Sequence, residues 1–164
     1  MAGAQIGRVA LFSIHPRYAD AILAGTKSVE FRRQGLPADV THIVIYSTAP
    51  VQRIVGMFEI ASIDKTSPVR AWKKYGALGG IEQIPFERYY TGAAHAYVIR
   101  VRNTCTFNTP VALDELDPNM RPPQSYMYLT PPVLDRLDRL AHPSRIAFVG
   151  RVAAAVRSFV LSGD

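Results

Sequence analysis

The sequence predicts a single α+β domain in which strands carry the core and short helices flank them. Three observations support this. The chain has 164 residues, 48% of them hydrophobic, enough for one domain with a substantial core. Runs rich in β-branched and aromatic residues recur from residue 8 to residue 107. The helical segments between them are short, opened by proline and stopped by glycine.

Residues 8–14, Arg-Val-Ala-Leu-Phe-Ser-Ile, form a first buried strand. His15-Pro16 ends it and opens a helix through Tyr18, Ala19, Ile22 and Leu23, with Gly25 as its stop. The next strand is charged: Gly25-Thr26-Lys27-Ser28-Val29-Glu30-Phe31-Arg32-Arg33. Alternation puts Glu30 and Arg32 on one face and Val29 and Phe31 on the other. The apolar pair faces a core. The charged pair faces either water, as an ordinary solvated strand, or a pocket, where neighbouring charges would tune one another. Residues 34–39 are a loop.

His42 to Thr48 is a further strand, ending in the hydroxyls of Tyr46, Ser47 and Thr48 before Ala49-Pro50. Arg53 to Asp64 is a long strand that places Val55, Met57, Glu59, Ala61 and Ile63 on one face. A carboxylate on an apolar face needs a partner, so Glu59 is either a buried mate for an arginine or a functional acid. Residues 68–92 are helical and irregular. One helix runs from Pro68 through Trp72 and Tyr75 to Gly76, and a second from Pro85 to Tyr90, stopped by Gly92. This basic excursion flanks a ligand or covers a sheet edge. His95 to Phe107 is a long strand offering Arg100 or Arg102 to Glu59, and residues 110–116 are a short strand or turn.

Pro122 and Pro123 hold the chain extended beside Gln124 and Ser125, before Tyr126 and Tyr128. That stretch is either a rigid holder for a base edge or a proline-bounded edge strand. Thr130 caps a helix from Pro131-Pro132 with the stripe Val133, Leu137, Leu140 and Ala141, and with Asp135, Arg136, Asp138 and Arg139 on its wet face. From residue 146 to residue 161, Val149, Val152, Ala153, Val156 and Val160 recur at helical spacing, in a helix that packs on the domain or pairs with a second chain.

The net charge is +6 and the pI about 9.7, most of it from arginine, with eight tyrosines; this composition suits a nucleic-acid binder. Cys105 is the lone cysteine, which excludes an internal disulfide and a cysteine-based zinc site. The four histidines show no ligand spacing, and nothing points to a metal or other cofactor. No apolar run is long enough to cross a bilayer and no secretory signal is recognisable, so the expectation is a cytoplasmic protein without a membrane partner.

Gly25-x-Lys27-x-x-Glu30-x-Arg32 resembles the GxKxxExR signature of the ASCH domain family. Ser13-Ile14-His15-Pro16 and the helix precede it, as in that family, and Tyr46-Ser47-Thr48-Ala49-Pro50 is similar to the family's strand ending in small polar residues and proline. Pro122-Pro123-Gln124-Ser125-Tyr126 resembles a late motif of the branch labelled predicted transcriptional regulators with PUA-like domains. The resemblance implies a PUA-like fold, a small, mostly antiparallel β-barrel with flanking helices. The domain spans residues 8–129, and residues 130–164 are a C-terminal helical extension of it.

The resemblance also implies a nucleotide- or modified-base-sized cleft at the signature, lined by Lys27, Glu30, Arg32, Tyr46, Ser47, Gln124 and Ser125. Relatives in the wider superfamily bind RNA or hold a flipped or modified base there. The expected function is therefore a nucleic-acid-binding module, for RNA first, acting in RNA metabolism or regulation. The alternative is a hydrolase with Lys27 and Glu30 as its catalytic residues. Some family members resemble amidohydrolases acting on acetylated cytidine through a lysine, a threonine and a glutamate; Lys27 matches the lysine, but Glu30 stands where the threonine sits. Others cleave RNA, and there Lys27 would stabilise a phosphorane while Glu30 takes the ribose 2′-hydroxyl proton. The expected partners are RNA, another nucleic acid or a nucleoside, with self-association through the C-terminal helix.

Overall fold

A computed structural model describes residues 7–143. The expected helix within residues 146–161, and the self-association assigned to it, lie outside the described residues.

The described residues form a six-stranded sheet in the order β2-β5-β4-β3-β1-β6. The strands are β1 (Arg8–Ile14), β2 (Val29–Arg32), β3 (Val40–Ser47), β4 (Arg53–Thr66), β5 (Ala96–Val111) and β6 (Tyr126–Leu129). β1 and β3 run parallel, because helix α1 (Pro16–Leu23) and β2 intervene between them; the other pairings are antiparallel. The remaining helices are α2 (Pro68–Tyr75), α3 (Gln83–Tyr89), α4 (Leu113–Leu116) and α5 (Pro131–Ala141), with a 3₁₀ turn at Gly76–Leu78. The α+β class, the mostly antiparallel sheet and the flanking helices are as expected. The sheet curls without closing: edge strands β2 and β6 are not paired, and a side chain from one reaches the segment before the other. No helix among the described residues is long and apolar enough to cross a membrane.

Apolar residues bury both faces of the central strands, which is why β1 reads as a continuous apolar run rather than an alternating one. Val9 and Leu11 join Leu113, Leu116, Leu137 and Ala141 under α4 and α5. Ala10, Phe12 and Ile14 join Ala19 and Ile22 under α1. A third cluster packs Val29 and Phe31 of β2 against Ala71, Tyr75 and Phe86 of α2 and α3.

Two face assignments differ from the sequence pattern. Register shifts within β4 break its alternation, so Met57 packs under α4 and α5 while Val55 and Ile63 pack under α1, and Ala61 is exposed. Asp138 is buried rather than wet: it lies one turn from Leu134 and Ala141, inside the stripe that α5 turns to the sheet. Residues 110–116 are likewise not one unit, since β5 runs through to Val111 and α4 follows.

Glu59 is an ion-pair partner. Arg102 of β5 donates to its Oε1, and Asn103 Nδ2 donates to its Oε2 at 2.8 Å. Burial alone would raise the Glu59 carboxyl, but the hydrogen bonds from Arg102 and Asn103 outweigh it and hold the group below its usual range. His42 faces Glu59 across the β3–β4 ladder. Burial pushes the His42 imidazole below its ordinary 6.5, against the pull of Glu59 and with the help of Arg102. A folded pKa below the unfolded one means that the unfolded chain binds more protons in the window between them. The stability held by neutral His42 is therefore complete above pH 6.5 and lost as pH falls toward the folded pKa. Urea midpoints measured from pH 7.5 to pH 5 should fall for the wild type and flatten in His42→Gln; parallel slopes would assign the dependence elsewhere.

Candidate nucleic-acid interface

The signature turn is built by the end of α1. Gly25 takes φ +79°, a left-handed conformation that favours glycine, and the amides of Thr26 and Lys27 both donate to Ala21 O at 3.0 Å. This reversal turns Lys27 inward. Its side chain is 3% exposed, and Nζ donates to Gly79 O at 2.6 Å and lies 3.3 Å from Glu30 Oε2. Gly79 is required there, because a Cβ on it would stand 2.2 Å from Phe31 Cε2.

Glu30, 7% exposed, shares its other oxygen with Arg32, whose Nη1 lies 3.7 Å from Oε1. Glu30 is thus the centre of a buried cation–carboxylate–cation row. Of the two alternatives for the charged face of β2, the structure shows the pocket. Arg32 continues the row outward: Nη2 donates to Ser125 O at 2.6 Å, and the guanidinium stacks 4.3 Å from the centre of the Phe12 ring. This side chain bridges β2 to the segment preceding β6, where sheet closure is missing. Ser13 Oγ donates to Pro123 O at 2.7 Å and fixes the same segment to β1.

Two clefts meet at this row and share Ser13, Arg32 and Tyr89. The wide one, about 720 Å³, is lined by those three with Arg33, Gln34, Ala93, Ala94, His95, Tyr97, Gln124 and Ser125. The narrow one, about 170 Å³, is mostly apolar, with Ile14, Tyr18, Phe31, Ile81 and Phe86 around Lys27 and Glu30 and His15 at its wall. Segment 68–92 covers the sheet edge, one of its two expected roles, and also lines the clefts. Its helices cover the apolar face of β2, while Tyr89, Ile81 and Phe86 form cleft wall. Partial burial raises the Tyr89 phenol above the ordinary pKa of 10.0, Arg32 opposes this and Glu30 reinforces it, so Tyr89 keeps its proton at neutral pH.

Of the residues expected from the sequence, the structure brings Lys27, Glu30, Arg32, Gln124 and Ser125 together. Tyr46 and Ser47 line neither cleft. Tyr46 is packed in the cluster under α4 and α5, and Ser47, 1% exposed, keeps its hydroxyl buried with no hydrogen-bond partner among the described residues. Ser47→Ala should leave stability unchanged or raise it by up to ~1 kcal/mol, since it removes an unsatisfied polar group. A thermal melt beside a ligand titration checks this, and a loss of binding at constant stability would return Ser47 to the site. Sequence reasoning did not single out Ser13, Arg33, Gln34, Tyr89, His95 and Tyr97. The only signal for Tyr89 was its place in the basic excursion. No group of three or more His, Cys, Asp and Glu side chains suited to a metal occurs among the described residues.

Comparison with known proteins places this geometry in a family. The ASCH domain model matches residues 12–105. An ASCH domain-containing ribonuclease of Zymomonas mobilis is 33% identical over 124 residues, which cover 73% of this chain and 83% of the relative. The crystal structure of ASCH from Zymomonas mobilis superposes with a TM-score of 0.75 at 31% identity, over 80% of this chain and 94% of that one. A tyrosine-to-phenylalanine mutant of that protein superposes equally well, with a TM-score of 0.75 at 30% identity over 80% and 97% of the two chains. With the signature, the fold and these relatives in agreement, the chain belongs to the ASCH domain family.

Proposed function

We propose that this protein binds single-stranded RNA, seating a nucleotide in the wide cleft with Arg32 and Arg33 on its phosphate. The observation that carries this is the lining of that cleft. It sets two guanidinium groups beside two tyrosines and two side-chain amides, within the volume range of small-ligand pockets, on a chain of net charge +6. Guanidinium forks suit phosphate oxygens, tyrosine faces suit bases, and Gln34 and Gln124 offer both donors and acceptors for a base edge.

Fluorescence anisotropy with a short labelled RNA, across a salt series, tests it. Arg33→Ala should weaken binding several-fold and lower the magnitude of the log–log salt slope by ~0.7, the value for one contact to a single-strand phosphate. An unchanged slope would remove Arg33 from the phosphate path. If both the Arg33→Ala and Arg32→Ala chains bind like the wild type, the cleft assignment fails.

A second reading is that the bound RNA is cleaved. The observation favouring it is the 33% identical relative, which is a ribonuclease. Lys27 and Glu30 would then serve the reaction from behind. They hold Arg32 in position at the junction of the clefts, where its charge meets that developing on the phosphorane oxygens. Incubating a labelled RNA with wild type and with Arg32→Ala, and resolving the products on a gel, tests this: cleavage lost in the variant is expected, and an RNA left intact by the wild type would reject the reading.

A further inference from the structure

We propose that His95 is the proton acceptor for RNA cleavage in the wide cleft, taking the proton of the attacking ribose 2′-hydroxyl. This rests on the ribonuclease reading. Strand geometry supplies the first part of the argument. His95 immediately precedes β5, two residues before Tyr97. Tyr97 stands directly opposite Arg32 in the β2–β5 ladder. His95, Tyr97 and Arg32 all line the wide cleft, so the imidazole belongs to the same wall as the guanidinium.

Elimination supplies the second part. Glu30 is 7% exposed and each of its oxygens faces a cation, so the substrate hydroxyl would have to displace Lys27 or Arg32 to reach it. Lys27 is 3% exposed and spends a hydrogen bond on Gly79 O. His15, in the narrow cleft, commits its Nδ1 to the hydrogen bond from Arg17 N at 3.2 Å and packs its ring against Tyr18. Tyr89 holds its proton at neutral pH, so it is not the phenolate that could act as a base. The serine hydroxyls and glutamine amides of the cleft are not proton acceptors of useful strength at neutral pH. His95 is exposed in the cleft, and among the described residues no hydrogen bond, ion pair or ring contact engages it. Imidazole is also the side chain most used for proton transfer near neutrality.

The step balances without a further reactant. The 2′-oxygen forms a bond to phosphorus as its proton passes to an imidazole nitrogen of His95. The bond from phosphorus to the 5′-oxygen breaks, and that oxygen takes a proton from solvent. The imidazolium then returns one proton to solvent. The products are a 2′,3′-cyclic phosphate end and a 5′-hydroxyl end. Arg32 and Arg33 face the charge on the phosphoryl oxygens.

The test uses the full chain and a short 5′-labelled single-stranded RNA. Single-turnover cleavage is measured for wild type, His95→Ala and His95→Gln. Affinity is read in parallel with the 2′-O-methyl form of the same RNA, and folding by a thermal melt. The expected result is a loss of ~10²–10⁴-fold in rate for both variants, the usual worth of a general base. Affinity should stay within about threefold and the melts unchanged, as for an exposed side chain without partners. Added imidazole should restore part of the His95→Ala rate, and the product should carry the cyclic phosphate. If wild type cleaves and both variants keep up within a few-fold, the proposal fails while the ribonuclease reading stands. Rates that fall in proportion to affinity, with no rescue by imidazole, would make His95 a ligand contact and overturn its role as base. If wild type binds the RNA and leaves it intact, the ribonuclease reading fails and the proposal with it.

Discussion

Glu30→Ala is expected to destabilise the domain by about 3–5 kcal/mol, the usual cost of removing one member of a buried ion pair. The mechanism is specific to this row. Lys27 is 3% exposed, so the lost carboxylate leaves an ammonium with Gly79 O as its hydrogen-bond partner and with the Tyr18 and Phe31 rings 5.3 and 5.4 Å from it. In a domain of this size such a loss lowers the melting temperature by roughly 6–20 °C. Exposed pairs give a scale for comparison: breaking Arg8–Asp39, whose side chains are 44% and 55% exposed, should cost far less than breaking the Glu30 row. The double variant Lys27→Met, Glu30→Leu should recover part of the loss, because it removes both buried charges instead of stranding one. Urea denaturation of the four chains decides the point. A Glu30→Ala loss under about 1 kcal/mol would mean that the row is hydrated and weak, and that Glu30 is free for chemistry after all.

Most elements were legible in the chain because their signals are local. Pro16, Pro68 and Pro131 mark helix starts through the missing amide of proline, and Gly25 marks a helix end through the left-handed tolerance of glycine. The Glu59–Arg102 pair was legible for a different reason: a carboxylate in an apolar strand must find a cation, and only a neighbouring strand could bring one. Apart from Asp138, which its own helix turns inward, the failures are non-local. A register shift inside β4 re-aims Val55 and Met57 to opposite sides, and nothing in their sequence announces it. The family resemblance placed Tyr46 beside Lys27, whereas it packs in the cluster under α4 and α5. The cleft depends on Arg32, His95 and Gln124 arriving from three distant segments, which the curl of the sheet brings together. Lys27 looked like a residue of an open turn; the carbonyl of Gly79, fifty-two residues away, is what buries it.

Arg32→Ala should have the largest effect on RNA affinity, a loss of roughly 10- to 150-fold, since hydrogen bonds to a charged group are worth about 1.5–3 kcal/mol and Arg32 opens onto both clefts. Part of that loss would be indirect. Arg32 holds the extended segment of Gln124 and Ser125 through Ser125 O, so its removal loosens one cleft wall as well as deleting a charge. Arg32→Lys separates the two contributions. It keeps one positive charge but gives up the planar fork and the stack on Phe12, so it should restore the salt slope without restoring the affinity. Full recovery by lysine would reduce Arg32 to a point charge and leave the bridge to Ser125 without a role in binding. Failure of lysine to restore even the slope would mean that RNA phosphates do not approach this residue, and that the Arg32 bridge serves only to hold together two sheet edges that never pair.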